Sequence, residues 1–495
     1  MYGTIQDESK PLKDAAARHG SRVGFPTFWR GKWAVLTAAA LVVLGLSQTS
    51  TRAPLASTRF CDLTAQSSGY IKLPNKQDGH YFYWFFESRS NPDTDPLVLW
   101  LTGGPGGSSL LALLTENGPC TIADDDITTI GNPYSWTTRA NVIWVDQPIG
   151  TGFSYGTADD ADHNSTQVGE NMYFFLQRWL KQHPKFANHR FFLTGESYAG
   201  HYVPAVATAL LKTAPSPGDV HIQLEGVAIG NGLTSPLIQV DMQHQIDMIR
   251  DNSYGKVLLN GSDYTTYQNS VSTIVHLIEE CYAHNDTACT DATVLWLPTI
   301  VQPLLTISKV NQYDLRESLG DGHDNPAAAK QPTGGLLSKE SLKTIGNPHA
   351  HAFLNNPDVQ AYLNIPHYMP WTEISQDVFG RFSVDFFQNR DGDVAYLLEH
   401  KIRVLIYAGD ADLVCNWKGN LAWTTALSWS GAKAFNAAKE EPFVVRGVAK
   451  GTLQAAGNFA FLRVFDAGHM VPENQPEASL AMLNRFLANA PLHRD

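Results

Sequence analysis

One serine, two aspartates and one histidine stand where the sequence could do chemistry, each just beyond an apolar run and among small or turn-forming neighbours. Ser197 sits in Thr194-Gly195-Glu196-Ser197-Tyr198-Ala199-Gly200, directly after Phe191-Phe192-Leu193. A strand that ends in a strained turn and passes at once into a helix lifts a serine hydroxyl clear of a sheet. The turn is crowded, so the residues two before and two after the serine must be small. Gly195 and Ala199 meet that need, alanine being a mild departure from glycine. The pattern alone also describes an ordinary loop turn, so the rest of the sequence must decide.

An activated serine needs a base, an acid to orient the base, and donors for an oxyanion. In a strand-turn-helix setting the order along the chain is serine, aspartate, histidine, with donors upstream. Upstream, Val98-Leu99-Trp100-Leu101 runs into Thr102-Gly103-Gly104-Pro105-Gly106-Gly107-Ser108-Ser109, whose glycines let backbone amides approach a ligand closely. A phosphate-cradling loop would carry a lysine followed by Ser or Thr, and none is present. Downstream, Arg403-Val404-Leu405-Ile406-Tyr407-Ala408 ends in Gly409-Asp410-Ala411-Asp412, leaving two aspartates to choose between. After Phe461-Leu462-Arg463-Val464-Phe465 comes Asp466-Ala467-Gly468-His469-Met470-Val471-Pro472. Taken singly, His469 reads as a surface or core histidine; in sequence with the elbow and the acids it reads as a base.

These stretches, W-L-T-G-G-P-G-G-S-S, G-E-S-Y-A-G, G-D-A-D and G-H-M-V-P-E-N-Q-P, resemble those of serine carboxypeptidases of the α/β-hydrolase fold. The resemblance runs from about Phe60 to near the C-terminus, and T-E-N-G-P-C and D-L-V-C-N-W-K-G-N are similar to fungal secreted or vacuolar members. It implies Ser197 as nucleophile, His469 as base and then acid, and Asp412, the second aspartate of its motif, as orienting acid, with Asp410 a structural neighbour. It also implies that the amides of Gly104 and Tyr198 form an oxyanion hole. Glu116 and Glu196, helped by Thr102 and the Gly103 amide, would receive the substrate's terminal carboxylate, and Cys415 would be a free thiol lining the pocket. Two positions depart from the family: Thr102 replaces a common asparagine, and Gly107 a common disulfide cysteine.

Carboxyl groups that receive a carboxylate must keep a proton. Like charges in a partly desolvated site cannot all ionise, so at least one pKa rises and that carboxyl donates a hydrogen bond. The expected consequence is an acidic optimum for peptides, with binding lost between mildly acidic and neutral pH, and greater tolerance for esters and amides.

The elements that must hold these residues alternate between buried strands and helices. Asn141-Val142-Ile143-Trp144-Val145-Asp146 and Val227-Ala228-Ile229-Gly230 are continuous apolar runs, and a helix is expected from about Gly169 to Gln182. The fold class is α/β: a mostly parallel central sheet with helices on both faces. Between Ser235 and Tyr396 the pattern loosens into polar helical stretches around Leu277 and Glu280 and turns at Pro332-Thr333-Gly334-Gly335. Residues 60–235 and 397–495 are therefore expected to form the two parts of the core, and 236–396 a mainly helical lid. Trp136, Tyr198 and Tyr254 are aromatic wall candidates, although core packing is the commoner fate of such residues. About 435 residues follow the leader, more than one plain sheet domain needs.

Residues 1–47 read as an address. Trp33 to Leu46 is an apolar run of 14 preceded by Arg30 and Lys32, short for a membrane span and suited to a signal sequence cleaved near Gly45 and Ser47. An uncleaved signal anchor with a lumenal enzyme domain is the alternative, and 48–59 reads as a linker. Of five cysteines, Cys61, Cys120, Cys281 and Cys289 could form two disulfides, most simply Cys61 with Cys120 and Cys281 with Cys289, with the pairing left open by sequence. Sequons at Asn164, Asn260 and Asn285 agree with passage through the secretory pathway to a secreted or vacuolar destination.

A net charge of -12 without a basic-aromatic stripe argues against nucleic acid. No His, Cys and carboxylate spacing suggests a metal, and no cofactor is expected. The reading is a serine-type carboxypeptidase acting on peptide or protein C-termini. Its alternatives are an acyltransferase of the same fold, a non-catalytic binding protein, and a lipase or esterase, which would not need the paired glutamates.

Overall fold

The apolar runs become the strands of one sheet in the computed structural model, which describes residues 60–319 and 347–494. The signal or anchor run, its cleavage point, the linker 48–59 and the Pro332-Gly335 turns lie outside the described residues. Ten strands form the sheet: β1 (Gln66–Lys72), β2 (His80–Phe86), β3 (Leu97–Leu101), β4 (Asn141–Val145), β5 (Arg190–Glu196), β6 (Gln223–Gly230), β7 (Arg403–Gly409), β8 (Glu441–Val445), β9 (Val448–Ala456) and β10 (Phe459–Val464). Their spatial order is β1-β2-β4-β3-β5-β6-β7-β10-β9-β8. The six central strands, β4 to β10 in that order, pair in parallel, and both edges are antiparallel.

Side chains alternate across a strand, and both faces here are covered, so the central strands are apolar throughout. Leu97, Leu99 and Leu101 point into one core while Val98 and Trp100 point into the other; Phe459 and Phe461 divide from Leu462 and Val464 in the same way. One face is covered by α2 (Ser165–Gln182) and α3 (Ala199–Lys212), the other by α1 (Ser109–Thr115) and the C-terminal α6 (Pro476–Leu487). The expected helix at Gly169 begins four residues earlier because Asn164 caps it, accepting from the Gln167 amide at 3.0 Å.

Between β6 and β7 the chain leaves the sheet and builds a third core of its own. There α4 (Gly261–Tyr282) and α5 (Asp286–Trp296) bury Val271, Ile274, Ile278 and Trp296 against Phe387 and Leu413. A disulfide joins Cys281 to Cys289 at the meeting of these helices, and a second joins Cys61 to Cys120. A short hairpin of Val310–Asn311 and Asp314–Ser318 turns back toward the sheet, where the Tyr313 carbonyl accepts from the His469 amide at 2.7 Å. Among the described residues no helix is long and apolar enough to cross a membrane.

Candidate active site

The parallel strands end on one side of the sheet, and the loops leaving β3, β5, β6, β7 and β10 meet there, as ligand sites in open α/β sheets do. Ser197 lies between β5 and α3 with φ 66°, a left-handed conformation that serine adopts only when its surroundings enforce it. Its amide donates to the Gly230 carbonyl at 3.0 Å, and its own carbonyl accepts from the amides of Gly200 and Leu233 at 2.9 and 3.0 Å. A Cβ on Gly195 would stand 2.6 Å from the Leu101 carbonyl oxygen and 2.7 Å from the Ala199 Cβ, which is why both flanking positions are small. Gly103 packs just as tightly behind the elbow, where a Cβ would collide with the Tyr198 amide nitrogen.

His469, in the loop after β10, donates from Nδ1 to Asp412 Oδ2 at 2.7 Å. Asp412 is wholly buried and is held by the Val414 amide at 3.0 Å, the Cys415 amide at 3.3 Å and Asn231 Nδ2 at 2.8 Å. Asp410 is engaged elsewhere, by the Tyr254 hydroxyl at 2.6 Å and Arg463 at 3.0 Å, so of the two aspartates it is Asp412 that bonds His469. Asn231, unnoticed in the sequence, also accepts from the Gly409 amide at 3.0 Å. Its one sequence signal was its place beside Gly232 at the end of an apolar run.

A cavity of about 250 Å³ opens over Ser197 and His469, and Thr102, Gly104, Tyr198, Glu116, Glu196 and Cys415 all line it. Trp136 and Tyr254 do not. Trp136 is core, with its indole donating to Ser479, and Tyr254 is spent on Asp410, so of the three aromatic wall candidates only Tyr198 reaches the cavity. Much of the remaining wall comes from the detour between β6 and β7, which supplies the apolar Val240, Trp296, Val301, Phe386 and Phe387 together with polar groups such as Gln239, Asp314, Glu317 and Glu373. Gly107, at the common cysteine position, forms a bridge to Ile374.

Glu116 and Glu196 are 7% and 3% exposed, and one carboxyl oxygen of each, Oε2, has no hydrogen-bond partner. Burial, with the charge of Glu473 second, pushes Glu116 up to about 8. Burial, and then the neighbouring Glu116 charge, raises Glu196 well above the usual carboxylate range. A hydrogen bond between the two favours the proton on Glu196. Both carboxyls are therefore held toward the protonated form where ordinary carboxyls are ionised, which leaves the pair a proton to offer an anion beyond the one in their mutual hydrogen bond. Thr102 Oγ1 accepts from the Trp100 indole at 2.9 Å, which leaves its own proton free to donate. The buried Cys415 thiol is raised by burial and then by the charges of Asp412 and Glu196.

Tyr198 is fixed from three sides. Its hydroxyl donates to Asp385 at 2.7 Å, and its ring stacks on His201 at 4.5 Å and on Phe386 at 5.5 Å. Asp385 pairs with Arg390 at 2.9 Å and accepts from the Ser165 amide at 2.9 Å. Neither Asp385 nor Glu473 carries a signal of its own in the sequence: Asp385 sits in a plain polar stretch, and Glu473 is one more residue of the G-H-M-V-P-E-N-Q-P run.

Residues 58–489 match the family model described as serine carboxypeptidase. A serine carboxypeptidase-like protein of Oryza sativa subsp. japonica is 39% identical over 421 residues, 85% of this chain and 92% of that one. A carboxypeptidase Y homolog A of Arthroderma otae is 40% identical over 430 residues, 85% of this chain and 74% of the relative. Among solved structures, a prohormone-processing carboxypeptidase from Saccharomyces cerevisiae superposes with a TM-score of 0.71 at 25% identity, covering 86% of this chain and 92% of that one.

Proposed function

The chain belongs to the serine carboxypeptidase family and is a serine-type carboxypeptidase working through an acyl-enzyme, and from that premise we propose a role for each group at the site. Ser197 Oγ attacks the last peptide carbonyl of the substrate and forms the C–O bond as His469 Nε2 takes its proton. Asp412 holds the Nδ1 proton and steadies the imidazolium. The developing oxyanion lies against the amides of Gly104 and Tyr198. Collapse breaks the C–N bond, and the leaving amine takes the proton from Nε2, freeing one amino acid. Water then attacks the acyl carbon by the same proton path and returns Ser197.

The observation that carries the exopeptidase assignment is the pair of buried, protonated glutamates beside Ser197, each with an unpartnered oxygen. A carboxylate entering beside them accepts hydrogen bonding that no other group of the protein takes up, with the Thr102 hydroxyl and the Gly103 amide adding donors. Recognition of the free C-terminus is strong in acid and declines as pH rises through about 8, where Glu116 ionises.

The segment 236–396 acts as the lid that shapes the pocket. Asn164, Asn260 and Asn285 serve as glycan acceptors, and both disulfides suit an oxidising secretory compartment, with secretion or vacuolar delivery as the destination.

The test is a mass-spectrometric time course on one peptide presented as free acid and as C-terminal amide, with Ser197→Ala as control. Stepwise loss of C-terminal residues from the acid, much slower loss from the amide and none with the variant is the expected result. Internal cleavage would overturn the roles given to Glu116 and Glu196. Transfer of the acyl group to an added alcohol with no hydrolysis would favour an acyltransferase.

A further inference from the structure

Tyr407 on β7 is a buried polar residue that the reaction described above does not use. Its ring is fully covered and packs in the core beneath α1, yet its hydroxyl has no hydrogen-bond partner among the described residues. A buried phenol ordinarily finds an acceptor, because an unsatisfied donor carries its full desolvation penalty.

The register of the sheet shows where that hydroxyl is aimed. Tyr407 stands opposite Gly230 on β6, and Gly230 stands opposite Glu196 on β5. Residues in register on neighbouring strands project to the same face, so Tyr407 and Glu196 share the face that α1 covers, with only a glycine between them. The phenol lies across that glycine: a Cβ on Gly230 would stand 2.3 Å from Tyr407 Cζ and 2.4 Å from its Oη. Gly230 is thus the gap through which the tyrosine reaches from its own strand toward β5. Glu116, the C-cap of α1, meets Glu196 on this same face.

The donors and acceptors here are complementary. The hydrogen bond within the glutamate pair favours the proton on Glu196, so Glu196 donates to Glu116 and its Oε2 is left as an acceptor with nothing to accept. Tyr407 has a proton with nothing to receive it. Burial, then the charges of Glu196 and Glu116, raise that hydroxyl well above the usual phenol range, so it stays a donor. Asp412, Glu473 and Cys415 are the other titratable groups in electrostatic reach of Glu196, and none of them engages its Oε2.

Resting on the carboxypeptidase reading of the site, we propose that Tyr407 is a positioning residue of the carboxylate-receiving pair: its hydroxyl donates to Glu196 Oε2, directly or through one water, so that Glu196 donates to Glu116 and Glu116 to the substrate's terminal carboxylate. The donors then all point outward, and each bond polarises the next. Without the tyrosine, the bond inside the pair can reverse and turn a proton away from the substrate.

Tyr407→Phe removes one hydroxyl and keeps the ring over Gly230, so it tests this on the full chain with one peptide presented as free acid and as amide. KM for the free acid is expected to rise about fivefold, the loss of one hydrogen bond, with kcat little changed and KM for the amide unmoved. An unchanged free-acid KM would overturn the proposal. So would an equal rise for acid and amide, which marks a disturbed core rather than a misdirected pair. A wild type that binds acid and amide alike would remove the carboxylate site and the proposal with it. Absence of turnover with every substrate would count against the carboxypeptidase reading alone, since the same comparison of acid with amide can be read as Kd on Ser197→Ala with and without Tyr407→Phe.

Discussion

The Tyr198 hydroxyl donates to Asp385 across 2.7 Å, tying the residue that follows the nucleophile to a carboxylate 187 positions later in the chain. This bond is one of the three contacts that hold the Tyr198 ring, and the oxyanion role proposed for the Tyr198 amide depends on that residue keeping its place. Tyr198→Phe keeps both ring stacks and loses the bond. It is expected to lower kcat several-fold with little change in KM, and to cost about 1–2 kcal/mol of stability. Steady-state kinetics beside urea denaturation separates the two effects; a stability loss without a kcat loss would reduce the bond to a purely structural one.

Asp412→Asn keeps the size of the side chain but can present an N–H toward His469 Nδ1, which favours the wrong tautomer for accepting a proton from Ser197. kcat is expected to fall by roughly 10³ to 10⁴ with KM near the wild-type value. Asp410→Asn, by contrast, disturbs Tyr254 and Arg463 and is expected to show chiefly in the unfolding midpoint.

The pH dependence of binding has a definite sign. A carboxyl donates to the substrate carboxylate only while protonated, so KM for free-acid peptides is expected to rise as pH passes through about 8 and Glu116 ionises. KM for the matching amide should stay nearly flat over the same range. Glu116→Gln, which donates at every pH, should flatten the free-acid profile; a wild-type profile already flat would remove the carboxyl pair from recognition.

The same groups bear on folding. Glu116, Glu473 and Asp146 all have folded pKa values above their ordinary ones, at about 8, about 7 and about 6, with burial the leading cause in each. Groups raised in this way stabilise fully below the unfolded pKa and lose that contribution as pH climbs through the folded value. Urea midpoints are therefore expected to fall between about pH 5 and pH 8, and the Glu116→Gln midpoint to fall less steeply.

Cys415 lines the cavity with a thiol that burial, Asp412 and Glu196 all push upward, so little thiolate exists at neutral pH. Iodoacetamide is expected to label it far more slowly than the same cysteine in urea-unfolded protein. A slowly hydrolysed peptide should slow labelling further, as followed by intact mass.

Local features were the ones legible in the sequence. The elbow could be read because its whole requirement, an apolar strand, a strained turn and small neighbours, lies within Phe191 to Gly200. The central strands could be read because burial on both faces leaves continuous apolar runs. Asn231 and Asp385 could not, because each acquires its meaning from a partner more than 180 residues away, Asp412 in one case and Tyr198 in the other. Glu473 was hidden differently: its neighbours Asp314 and Glu317 arrive on a hairpin whose return to the sheet no periodicity announces. Trp136 was read as a possible wall residue only because it is aromatic, and an aromatic is more often core.

The strands β6 and β7 are immediate neighbours in the sheet, yet the whole of the detour from Asn231 to Ile402 lies between them. Closing a loop costs entropy that grows only with the logarithm of its length, so the sheet is nearly indifferent to how much chain is looped out there. The sheet thus carries a cassette position. Segments of different length and lining could be exchanged at one slot, changing which peptides are admitted, while the strand ends that position Ser197, Asp412 and His469 keep their register.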